Sequence, residues 1–92
     1  MFEDADLDRA CVGAQSAIFG SAGQSCVAGS RLLIQRSIYD RFVQMVAEGA
    51  SKIRLGEPSS PDTEIGPIQN ATQFNHVNNM IERGLKEGAQ IV

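Results

Sequence analysis

The clearest hydrophobic periodicity runs from about Asp6 to Phe19. Leu7, Ala10, Cys11, Ala14, Ala17 and Ile18 recur at helical spacing with polar residues between them. Asp4 or Asp6 can cap such a helix, because a short carboxylate accepts from the free amides of a first turn. A second stripe, Ile38, Phe42, Met45, Val46, Ala50 and Ile53, predicts a helix over Ser37–Ile53. Asp40, three residues after Ser37, makes a weak capping box, and Lys52 and Arg54 suit the negative end of the helix dipole. A third stripe, Phe74, Val77, Ile81 and Leu85, predicts a helix opened by Asn70 or Thr72 and stopped at Gly88.

The remaining segments break this rhythm. Gly20–Ser30 is small and glycine-rich and reads as a tight loop. Arg31–Gln35 is a short apolar run of strand length, placed as a buried, parallel strand. Gly56–Pro67 carries all three prolines and reads as a loop, and Ala89–Val92 begins what looks like another strand. Helix, strand, helix, helix, strand is an α/β order. Two short strands cannot build a self-sufficient sheet under three helices, so the chain is expected to be a slice of a larger domain. There is no internal repeat and no low-complexity tract.

Composition narrows the function classes. At 92 residues the chain is one small unit, and such a length buries only about 60–65% of its unfolded surface. The net charge of −3 and the lack of a basic run disfavour nucleic-acid binding, since nothing would neutralise a row of phosphates. No apolar stretch approaches the roughly 20 residues that span a bilayer. Two cysteines and one histidine make neither a disulfide framework nor a zinc site. The acidic start Met1–Asp6 is unlike a signal peptide, and with unpaired cysteines it suggests a reducing, cytoplasmic setting.

Cys26 is the candidate for chemistry. It lies in Gly23-Gln24-Ser25-Cys26-Val27-Ala28-Gly29-Ser30-Arg31, where small neighbours let a substrate approach the sulfur. Glycines there allow backbone amides to converge, favouring a thiolate and holding an oxyanion. The competing account is a buried structural cysteine, the commoner fate of a free Cys. Cys11, on an apolar helical stripe, is expected in the core. His76 is expected to serve the surface or packing, and Arg31 a structural ion pair. Gly20–Gly23 lacks the Lys-Ser/Thr of a P-loop, and Asp4, Asp6 and Asp8 lack the rest of a calcium loop.

Gly23–Arg31 closely resembles the catalytic cysteine motif of the aldehyde dehydrogenase superfamily, Asn-x-Gly-Gln-x-Cys followed by small residues and Arg. The resemblance extends to Asp4-Ala5-Asp6-Leu7-Asp8, to Ser37-Ile38-Tyr39-Asp40-x-Phe42, and to Leu55-Gly56-x-Pro58 with Gly66-Pro67. It covers essentially the whole chain. One departure is Ser21, where the family frequently has Asn.

The resemblance implies residues 1–92 of a partial catalytic domain carrying the nucleophile loop, without a nucleotide-binding domain. Cys26 would attack an aldehyde to form a thiohemiacetal. Hydride would pass to NAD or NADP, and the resulting thioester would be hydrolysed to a carboxylic acid. The Cys26 amide would supply part of the oxyanion hole. Gln24 and Gly23 would shape the loop. The family's general-base Glu-Leu-Gly-Gly motif, the oxyanion-hole asparagine and the Glu-x-Phe-Gly-Pro motif are absent from these 92 residues. The isolated chain is therefore expected to be inactive, its start resembling a truncation or internal start codon. The family also implies a homo-oligomeric parent protein. Alternatives are a CoA-acylating or phosphorylating relative, a noncatalytic fragment or interaction module, and a thiol hydrolase pairing Cys26 with His76.

Overall fold

The computed structural model describes residues 1–92. It contains three α-helices, α1 (Leu7–Phe19), α2 (Tyr39–Ala50) and α3 (Ala71–Lys86), with one-turn segments at Gly20–Gly23 and Arg36–Ile38. Asp6 caps α1, its carboxylate accepting from the Arg9 amide at 3.2 Å. α1 packs against α2, and each helix contributes one buried residue, Cys11 and Phe42. The Gln15 amide lies directly over Gly49, where a Cβ would overlap it, and donates to Cys11 Sγ at 3.2 Å. Glycine at position 49 thus lets a polar α1 side chain lie across α2.

α2 begins and ends inside the predicted span, for traceable reasons. Ser37 does not cap it; the Ser37 hydroxyl donates to Glu3 at 2.8 Å and accepts from Gln35 at 3.1 Å. At the far end the ladder tightens to three-residue bonds, Lys52 N–H to Gly49 O and Ile53 N–H to Ala50 O, both 3.2 Å. Arg54 serves the following loop rather than the helix dipole. Its Nε donates to Asp62 O at 2.7 Å, and its amide donates to the Glu64 carboxylate at 2.9 Å. That loop closes on itself through a parallel bridge between Leu55 and Ile65.

α3 follows the expected limits closely. Asn70 caps it, accepting from the Gln73 amide at 2.8 Å. Its end is a Schellman motif: Ala89 N–H donates to Gly84 O at 2.9 Å and Gly88 N–H to Leu85 O at 3.1 Å. Gly88 takes the required positive φ of 97°, which a Cβ would oppose.

The expected strands do not form. Arg31–Gln35 makes a single parallel-type pairing, with the Met1 amino group donating to Leu33 O at 2.7 Å and Gln35 N–H to Met1 O at 3.0 Å. The segment is not buried: Leu33 is 81% exposed. Ala89–Val92 joins no ladder, and Ile91 and Val92 are exposed. A strand exists only by pairing, and these residues offer each other no edge. The predicted sheet is therefore replaced by three helices, two isolated pairings and loops.

α3 packs against neither α1 nor α2. Phe74, Ile81 and Leu85, expected to point inward, are each about half exposed. Phe74 and Ile81 instead line an open groove of about 1110 Å³, shared with Ile18, Phe19, Leu55 and Ile65. The accessible surface is 7421 Å², against about 5,200 Å² for a folded monomer of this mass. No helix is long and apolar enough to cross a membrane.

Candidate functional site

Behind Phe19 the backbone reverses its hand. Ser21 and Ala22 adopt φ values of 53° and 54°, and Gly23 one of 71°. The result is a left-handed turn, closed by Gln24 N–H donating to Ser21 O at 3.0 Å. For residues with a Cβ this conformation costs roughly 1–2 kcal/mol each. Expected to be an ordinary tight loop, Gly20–Gly23 is thus a strained one. The chain leaves it into a second turn, Ser25–Ala28, in which Ala28 N–H donates to Ser25 O at 3.1 Å. The loop then rejoins α1 through Gly29 N–H to Ala17 O at 2.9 Å.

Cys26 occupies the tip of the second turn and is exposed, unlike the buried Cys11. Neither the Cys26 thiol nor its backbone amide is hydrogen-bonded to any group of the chain. A protruding thiol beside an unengaged N–H can present a nucleophile together with a donor for a developing oxyanion.

Gln24, two residues earlier, joins distant parts. Its Nε2 donates to Ser21 O at 3.4 Å, and its Oε1 accepts from the Gln69 amide at 3.0 Å, across 45 residues of sequence. Gln69 was not legible as part of the site, because it contributes only a backbone N–H, which every residue except proline possesses. With Ser21, Glu64 and Pro67, Gln24 also borders a cavity of about 300 Å³.

Other candidates stay apart from this loop. Cys11 holds the core position expected of it. His76 is exposed on α3, and no hydrogen bond joins it to Cys26 or to a third orienting group. Arg31 is exposed and forms no ion pair; the ion pairs are Arg54–Glu64 and Arg83–Glu87. The expectation of a structural pair at Arg31 is corrected accordingly, because the loop places no carboxylate against it.

The pattern of a strained turn followed by an exposed cysteine coincides with a family-wide match. Residues 1–92 match the aldehyde dehydrogenase family throughout, and the chain belongs to it. Its structure is similar to that of HpcC from Thermus thermophilus, with 40% identity and a TM-score of 0.98 over 100% of this chain. It is likewise similar to an aldehyde dehydrogenase of Bacillus cereus (a point mutant), at 40% identity and TM-score 0.94 over 98% of the chain. A third similar structure is betaine aldehyde dehydrogenase of Staphylococcus aureus in complex with NAD+, at 38% identity and TM-score 0.96 over 99% of the chain. In each case the chain spans 18% of the length of the solved structure.

Proposed function

We propose that this chain is the nucleophile-bearing segment of an NAD(P)-dependent aldehyde dehydrogenase that oxidises an aldehyde to a carboxylic acid. The observation carrying this reading is Cys26, exposed at the tip of a turn with its own amide unengaged, in a chain of that family. In the first step Cys26 Sγ adds to the aldehyde carbon. The carbon–sulfur bond forms as the carbonyl electron pair moves onto oxygen. The Cys26 N–H donates to that oxygen, giving a thiohemiacetal whose charge is stabilised where it develops. The family chemistry proceeds through a thioester on the same sulfur, and water then releases the acid.

NAD or NADP serves as the hydride acceptor in this chemistry, but the residues of this chain do not fit a dinucleotide. The large groove is lined by carbon-rich side chains with no Lys or Arg among them. A pyrophosphate needs cations or converging N–H groups, such as those of a helix N-terminus. The glycine-rich segment at 20–23 makes a left-handed turn rather than opening a helix. What these residues supply is the thiol, its loop and one oxyanion donor.

Two measurements test the assignment. Iodoacetamide at neutral pH should label Cys26 faster than Cys11 in the folded chain; faster labelling of Cys11 would overturn it. The purified 92-residue chain should form no NADH from aldehyde and NAD+. Turnover that disappears in Cys26→Ser would show that these residues do hold the cofactor.

A further inference from the structure

We propose that Gln24 is a positioning residue for the Cys26 thiol, its side-chain amide clamping the left-handed turn to the segment that leads into α3. The clamp rests on Cys26 being the nucleophile, but its parts are independent of that assignment. Gln24 is exposed, so packing does not hold its side chain. Its two ends are engaged instead: the NH2 donates to Ser21 O, and the carbonyl accepts from Gln69 N–H. The Gln24 backbone N–H reaches the same Ser21 oxygen. Donors from one residue therefore converge on the first residue of a turn whose conformation L-residues resist.

An amide is the side-chain group that donates at one end and accepts at the other. Glutamate at this position could accept from Gln69 but not donate to Ser21, and methionine could do neither. Released from both bonds, the turn would relax toward ordinary right-handed conformations. Ser25 alone separates Gln24 from Cys26, so the thiol and its amide would lose their fixed presentation. A disordered loop stabilises a developing thiolate less well than an organised one.

The test is the alkylation rate of both cysteines in this chain and its variants, under conditions where circular dichroism shows the three helices formed, with buried Cys11 reporting on the rest of the fold. Gln24→Met, which removes both side-chain bonds, should slow Cys26 by about fivefold or more, the lower figure being the scale of a single hydrogen bond, and leave Cys11 unchanged. Gln24→Glu should fall between. Gln69→Pro removes the partner N–H, and combined with Gln24→Met it should slow Cys26 no further than Gln24→Met alone, since both remove the same bond. Additive effects would overturn the clamp, as would an unchanged or faster Cys26. Faster labelling of both cysteines would show that Gln24 only supports the fold. If Cys11 outpaces Cys26 in the unaltered chain, the nucleophile assignment fails instead.

Discussion

Ser21 is where residue chemistry and backbone geometry meet. The family motif frequently carries Asn at this position, and the structure supplies a physical reason, because Asn tolerates the left-handed region better than serine. Ser21→Asn is expected to relieve strain by about 0.5–1 kcal/mol, a part of the left-handed penalty. The measurement is loop protection: amide exchange of Gln24, whose N–H closes the turn, should slow. Faster exchange would mean that serine's hydroxyl contributes something the backbone description misses. The sequence singled out Cys26 as the candidate nucleophile from residue types in order, and the structure places it exposed at a turn. The hand of the turn before it was not, because Ser and Ala carry no mark of a positive φ.

At the scale of elements, local signals and tertiary demands separate. Asn70 and Gly88 bracket α3 through side-chain and backbone bonds that need only neighbours in sequence; Gly88 was legible as the stop, and Asn70 as one of two candidate openers with Thr72. Ser37 resembled a cap equally well, but its hydroxyl is engaged by Glu3 and Gln35, 34 and 2 residues away. α3 has no helix to lean on, and an isolated helix of this length is marginal in water. Loss of its cap should therefore show strongly. Asn70→Ala is expected to cost about 1 kcal/mol, read as reduced far-ultraviolet circular dichroism and faster exchange of the Gln73 amide. Thr72→Ala should change neither. Equal effects from both substitutions would contradict Asn70 as the cap.

The whole molecule carries a deficit of burial. Two of 92 residues are buried, and the radius of gyration is 14.6 Å, where a compact domain of this length has about 12 Å. The apolar groove between the end of α1, the 55–68 loop and α3 stays open to solvent, and Leu33, Leu55, Ile91 and Val92 are exposed in the chain's loops and terminus. The chain alone is expected to be partly molten or self-associating, ordering fully only in a larger assembly. Circular dichroism with analytical ultracentrifugation on dilute protein checks this. A sharp cooperative unfolding transition from a clean monomer would make it an autonomous domain.

What the sequence by itself determined is local: three amphipathic helices, a cap for α1 narrowed to Asp4 or Asp6 and one for α3 narrowed to Asn70 or Thr72, the Gly88 stop, and an ordered set of motif residues pointing to Cys26. Each depends on spacing or on bonds between near neighbours. Only the tertiary structure decided whether Arg31–Gln35 and Ala89–Val92 became strands, where Ser37 and Arg54 spent their hydrogen bonds, and how Gln24 reached Gln69. Those outcomes rest on partners far apart in sequence. A strand without an edge to pair with, or a polar side chain with two competing partners, has no single answer until the chain is folded around it.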